Sequence, residues 1–206
     1  MKENKFITLI IITLFGITVF TLFRFNKLKQ QISINSRSNS NVESVKDDEL
    51  NAYKVNFKTN LLNSNLSLNN VLMKDSINNI IPLINIFKNS QKTILVYRFS
   101  QMHCESCVIA SIKIFVNWAN LHKVKNICFL GNFSNNRIFY RTIPEYSIEN
   151  MNVYNASDFD IPADGIGYPY CFILNNNMQI SNVFVPDKGM PKLTTEYLKM
   201  IQNKLK

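Results

Sequence analysis

Two cysteines, Cys104 and Cys107, stand two residues apart in the stretch QMHCESCVIASI. Two unrelated chemistries use that spacing. A disulfide made and broken between the two sulfurs moves electrons, and a pair of thiolates clasps a soft metal ion. For the metal, Met102 adds a third soft donor, giving Met102, Cys104 and Cys107. For the redox chemistry, what matters is a helix starting at the pair. Unpaired N–H groups and the positive end of the helix dipole then favour thiolate on the first sulfur. Cys104 would attack, and Cys107, deeper in the helix, would resolve the mixed disulfide. His103, when protonated, would stabilise the thiolate, whereas the like charge of Glu105 would oppose it, so the net direction stays open.

The neighbouring elements supply that context. Lys92 to Phe99, KTILVYRF, is β-branched and aromatic and reads as a buried strand. From about Cys104, Val108, Ile112, Phe115 or Val116, and Ala119 recur at helical spacing, predicting an amphipathic helix of about four turns. Asn126 to Leu130 is a second short strand, closed by Gly131-Asn132. The stretch 133–160 is ambiguous: Arg137 to Ile143 fits helix or strand, and Met151 to Tyr154 predicts a short strand. Tyr170 to Leu174 and Gln179 to Val185 form a hairpin about the turn Asn175-Asn176-Asn177, and Thr194 to Leu205 is an amphipathic final helix. Together these predict an α/β domain with a mixed sheet.

MHCESCV resembles the M-x-C-x-x-C loop of heavy-metal-associated domains, small βαββαβ modules that carry copper(I). That likeness implies a copper(I) or zinc binding and transfer protein. Gln101 stands where those domains usually carry glycine, and a module of about seventy residues leaves everything from Pro162 onward unexplained. The downstream run GIGYPYCFILNNNMQI, Gly165 to Ile180, resembles another family more closely. It is similar to the thioredoxin-like fold, specifically the membrane-tethered disulfide reductases of the TlpA and ResA type, over roughly residues 70–206. The resemblance implies a three-layer fold with a central mixed sheet. It implies that Cys104 attacks and Cys107 resolves, that Pro169 is a cis-proline holding substrate backbone beside the sulfurs, and that Tyr168 tunes the site. It also implies a thiol–disulfide oxidoreductase, more a reductase than an oxidant. Such a protein works on protein thiols and disulfides, is recharged by a membrane electron donor, and needs no cofactor beyond the Cys104–Cys107 disulfide. A thioredoxin-like domain kept only for binding is a further alternative.

This chain departs from the family's pattern. The usual W-C-x-P-C core reads H-C-E-S-C, and Arg98 lies where many thioredoxins carry a buried acid that takes the resolving thiol's proton. An arginine cannot be that base. Either it points at the sulfurs and favours thiolate, or its head reaches solvent from the strand. Cys171 lies two residues beyond Pro169 and so on the same strand face, which makes it a possible third thiol, with packing the preferred role. Cys128 reads as a small buried hydrophobe, and His122 as a surface residue near the end of its helix.

Phe6 to Phe23, FITLIIITLFGITVFTLF, is uncharged, with Lys2 and Lys5 before it and Arg24, Lys27 and Lys29 after. As a helix it would reach about 27 Å, near the hydrocarbon thickness of a bilayer. Residues 1–25 are therefore expected to be an N-terminal membrane anchor, residues 26–54 a polar linker rich in Ser and Asn, and residues 55–206 the folded domain. The flanking charges taken literally keep the domain in the cytoplasm, whereas the redox chemistry prefers it outside the cell membrane. The formal charge of +9 comes from scattered Lys and Arg with no basic run, which argues against nucleic-acid binding.

Overall fold

The strand that leads to the cysteine pair lies inside the sheet with a neighbour on each side, as its apolar run from Ile94 to Tyr97 requires. In the computed structural model, residues 20, 23–25, 27, 29, 46–87 and 93–205 are described. The chain divides into two units, Met1–Leu50 and Asn51–Lys206. Every described residue of the first is helical and exposed. Of the expected membrane span, Phe20 and Phe23 are described, and the rest lies outside the described residues. Among the described residues no helix is long and apolar enough to cross a membrane. Helix α1 covers residues 46–63, so the last part of the stretch read as linker is helical; residues 51–63 belong to the second unit.

The second unit is an α/β fold around one mixed seven-stranded sheet. Its strands are β1 (Leu72–Lys74), β2 (Ile80–Pro82), β3 (Thr93–Ser100), β4 (Ile127–Asn132), β5 (Asn152–Ala156), β6 (Tyr170–Asn175) and β7 (Ile180–Phe184). They are ordered β2-β1-β5-β4-β3-β6-β7. β3, β4 and β5 run parallel, while β6 is antiparallel to β3 and β7 to β6. Helices α2 (Glu105–His122) and α3 (Asn136–Tyr146) form the two parallel crossovers, and α4 (Pro191–Ile201) follows the hairpin. Both crossovers step in the same direction along the sheet, so right-handed connection puts α2 and α3 on one face. This βαβ unit followed by an antiparallel hairpin and helix is the order that the thioredoxin-like resemblance implies.

Alternation along β3 divides the core. Leu95, Tyr97 and Phe99 pack with Val108, Ile112 and Phe115 of α2, Phe139 and Ile143 of α3, and Leu198 and Ile201 of α4. Ile94 and Val96 face the other way, onto Leu68, Leu83, Phe159 and Ala163. Short 3-10 helices at Leu83–Ile86 and Pro162–Ile166 contribute there, and α1 is bonded to the same layer through Asn63 and the Ala163 N–H. The ambiguous stretch becomes α3 because Asn135 caps it, its side chain accepting from the N–H groups of Arg137 and Ile138.

Gly131, near the end of β4, lets the Phe139 ring rest on the backbone. A Cβ there would lie 2.6 and 2.9 Å from Cδ2 and Cζ of that ring, and nearer still to Cε2. Phe139 is fully buried among Phe99 and Phe133 and has nowhere to retreat. Gly131→Ala is therefore expected to lower stability by about 1–3 kcal/mol, read from the urea midpoint, with Phe139→Leu in the same chain recovering part of the loss.

Candidate functional site

β3 ends at Ser100, and the chain turns through Gln101 to His103 before Cys104 takes the N-cap position of α2. The Cys104 carbonyl accepts from the N–H groups of Cys107 (2.9 Å) and Val108 (3.0 Å), so the first helical turn closes around the pair. Cys104 is exposed and Cys107 half-buried, and both are free thiols. Ser106, the second residue between them, brings its hydroxyl 3.2 Å from Cys104 Sγ.

Lys188 reaches in from the loop between β7 and α4. Its Nζ donates to Ser106 Oγ at 3.0 Å and stands 4.0 Å from Cys104 Sγ. The loop holds its shape through Asp187, whose carboxylate accepts from the Gly189 N–H at 2.7 Å. Together these groups lower the Cys104 thiol to about 7. The Cys107 thiol contributes most, then the Ser106 hydroxyl and the Cys107 backbone N–H, with the Lys188 charge last. Burial and the neighbouring Cys104 sulfur push Cys107 the other way, so it keeps its proton to higher pH. The pair is thus split into one sulfur ready to attack and one held protonated. Lys188→Gln should slow alkylation of Cys104 at pH 6 by about two- to fivefold at low salt, with the difference shrinking as salt is added.

His103 corrects one expectation. Its ring is half-buried, and Nδ1 accepts the Ser100 N–H at 3.1 Å. Burial, with the nearby Arg98 charge, lowers the ring to about 4, so it is neutral at physiological pH and offers no cation to the thiolate. It fixes the turn before the pair instead. Glu105 is exposed in the first turn of α2.

Arg98 fits neither reading of it. It is 1% exposed and lies on the sheet face away from α2. Its Nη1 donates to the carbonyls of Gly131 (2.9 Å) and Ala156 (3.1 Å), and Nη2 to that of Ser157 (2.8 Å). Nε meets Asp164 Oδ1 at 3.3 Å, and the guanidinium lies 4.1 Å from the centre of the Phe159 ring. Asp164 also accepts from the Tyr170 hydroxyl (2.7 Å) and the Phe159 N–H (2.6 Å). Arg98 and Asp164 thereby pin the segment that runs from β5 to β6. No residue spacing announces this network, because its members are brought together by the sheet.

Tyr170 pairs with Arg98 across the sheet, so Pro169 comes level with the end of β3, where the chain leaves for the cysteines. Pro169 is buried and Tyr168 is 54% exposed. The Tyr168–Pro169 peptide bond is trans, which overturns the cis-proline expectation. Gly167 makes the turn instead, in the left-handed region at φ 76°, and β6 starts from an ordinary X–Pro bond. The likeness to the disulfide reductases therefore rests on the strand order and the placement of the cysteine pair.

Cys171 shares the α2-facing core with Tyr97, its cross-strand neighbour, and Tyr197. It is fully buried, and burial raises its thiol far above the usual range. Cys128 is equally sealed on the opposite face. Beneath the pair, the Tyr97 hydroxyl bonds to Ser111 Oγ, which in turn donates to the Cys107 carbonyl at 2.7 Å. Met102 is 84% exposed, its side chain out in solvent. The seven-stranded sheet is also not the βαββαβ module that the metal-carrier likeness implies. His122 lies at the end of α2, as expected. Ser106, Lys188 and Asp164 escaped the sequence reading: Lys188 is 84 positions from Cys104 and in a loop without a motif.

No family model matches the chain, and no curated protein does. Solved structures similar to it include a thiol:disulfide interchange protein from a Bacteroides species, 15% identical over 67% of this chain and 91% of that one, with a TM-score of 0.47. The thioredoxin domain of a thiol-disulfide oxidoreductase from Bacteroides vulgatus is 15% identical, covering 65% of this chain and 97% of that one, with a TM-score of 0.45. A peroxidoxin from Mycobacterium tuberculosis is 10% identical over 68% of this chain and 98% of that one, with a TM-score of 0.48. At this distance the likenesses are of outline, and the chemistry is argued from the geometry above.

Proposed function

We propose that this chain is a thiol–disulfide oxidoreductase, held at the cell membrane by residues 1–25 with its domain outside the cytoplasm, and acting as a reductase of protein disulfides. One observation carries the reading: an exposed thiol at a helix N-cap, lowered to about 7, stands one turn from a half-buried thiol that stays protonated. The Cys104 thiolate attacks one sulfur of a substrate disulfide, forming a mixed disulfide and releasing the other sulfur as a thiolate, which takes a proton from water. Cys107 then loses its proton and attacks Cys104 Sγ. The Cys104–Cys107 disulfide forms, the second substrate sulfur leaves, and two electrons have passed to the substrate. A dithiol donor at the membrane must return those electrons, and no cofactor besides the cysteine pair is needed. Tyr168 and Pro169, at the same end of the sheet, would flank the bound substrate chain. The segment pinned by Arg98 and Asp164 holds them there.

The test is the Cys107→Ser variant, which should accumulate mixed disulfides through Cys104, seen as adducts that dithiothreitol releases. If no adduct forms and the reduced wild-type chain leaves a model protein disulfide intact, the chain is not an oxidoreductase.

A further inference from the structure

Helix α1 is attached to its unit by the wrong face. In an ordinary surface helix the apolar stripe turns inward. Here the inward face is polar. Asn56 accepts from the Val185 N–H at 2.7 Å and donates to the Val185 carbonyl at 3.2 Å. Asn60 accepts from the Val183 N–H at 2.9 Å, and Asn63 accepts from the Ala163 N–H at 3.0 Å. Thr59 and Asn63 are buried in this contact. The amides of Asn56 and Asn60 thus continue, at Val183 and Val185, the cover that the backbone of Asn65 and Leu66 gives Ile180 on the same edge.

Outward, Tyr53, Phe57 and Leu61 recur at i, i+4 and i+8, a single stripe, with Phe57 72% and Leu61 67% exposed. Leu62 and Val55 are also exposed, but on the far side of Lys54 and Lys58 from the stripe. Lys54 and Lys58 flank the stripe, both exposed, and they are the only charged residues in 51–63, although the acidic run Asp47 to Glu49 lies a turn earlier.

We infer that this face of α1 docks on an anionic bilayer surface. An apolar stripe bordered by lysines is the pattern of a helix lying in the plane of the lipid headgroups. The charges also argue against a second copy: helices paired through this stripe would bring Lys54 and Lys58 of both copies to the rim of one contact. The apolar run ending at Phe23 lies within about 30 residues of the stripe, so a chain anchored there keeps α1 within reach of the membrane. The inference rests on the membrane attachment proposed above. It adds that the domain lies against the bilayer by a fixed edge instead of swinging freely.

The experiment uses the full chain with Phe57→Trp, since the single native tryptophan, Trp118, is buried and supplies a constant background. The chain is reconstituted with vesicles whose acyl chains carry bromine, made either of phosphatidylglycerol with phosphatidylcholine or of phosphatidylcholine alone. Emission should be quenched well beyond that of the wild-type chain in the anionic vesicles. It should fall back towards the wild-type level in neutral vesicles or with Lys54→Glu and Lys58→Glu. If the chain floats with the vesicles but shows no added quenching, the docking face is refuted while the attachment stands. If it neither floats nor is quenched, both are refuted. Emission already shielded without lipid, together with a dimer by sedimentation, would assign the face to a second copy and also refute the inference. Disulfide exchange measured on the same samples keeps the oxidoreductase reading separate.

Discussion

Alkylation of Cys104 in the reduced chain is expected to run about a hundredfold faster at pH 8 than at pH 5. A thiol at about 7 is about 1% thiolate at the lower pH and about 90% at the higher, and only the thiolate reacts. The sign follows from the lowered value: the reactive form persists well below the range of an ordinary cysteine and is lost as pH falls through 7. A stopped-flow series with iodoacetamide checks this, and a midpoint near 9 would mean that the groups around the sulfur do not act on it. The Cys107 thiol is the largest of those influences, so Cys107→Ala should move the midpoint up more than Lys188→Gln does. His103, lowered to about 4, should add no inflection between pH 5 and 8. An imidazolium beside the thiolate would have produced one near 6.

Removing the guanidinium of Arg98 should be the most destabilising single change at a polar residue. Arg98→Met leaves the Asp164 carboxylate nearly sealed, with only the Tyr170 hydroxyl and the Phe159 N–H as partners. It also strips a donor from three carbonyls, those of Gly131, Ala156 and Ser157. Breaking one side of a buried ion pair costs about 3–5 kcal/mol, to be read from urea unfolding. Adding Asp164→Asn removes the stranded charge, so the double variant should be more stable than Arg98→Met alone. If the two losses simply add, the pair is not coupled and the segment leading to Pro169 is held by other contacts.

The elements that carry the pair were legible because each has a strong local period. β3, β4 and β6 appear as short apolar runs, and α2 places Val108, Ile112, Phe115 and Ala119 on one stripe. Their observed bounds differ from the expected ones by one or two residues, as frayed ends do. The three-residue strands β1 and β2 were missed: too short for any period, they exist because β5 and each other offer edges to pair with. Helix α1 was obscured by its inverted faces. In a run such as NVESVKDDELN, polarity reads as a tether, and only the tertiary contact shows Asn56 and Asn60 bonded to the chain at the end of β7 and Asn63 to Ala163. Of the site, the two cysteines and their order of attack could be read from spacing. The state of His103, the burial of Arg98 and the reach of Lys188 could not, since each depends on which distant atoms the sheet brings near. The trans bond before Pro169 is of the same kind, since the dipeptide by itself allows either isomer.

The amides of Asn56 and Asn60 have one more effect. A row of unmet N–H and C=O groups along a terminal strand is a template on which a foreign chain can zip, the route to swapped assemblies and fibres. At Val183 and Val185 those positions are met by short side chains that cannot propagate a ladder, and at Ile180 by the backbone of Asn65 and Leu66, so the β7 end of the sheet offers no open template.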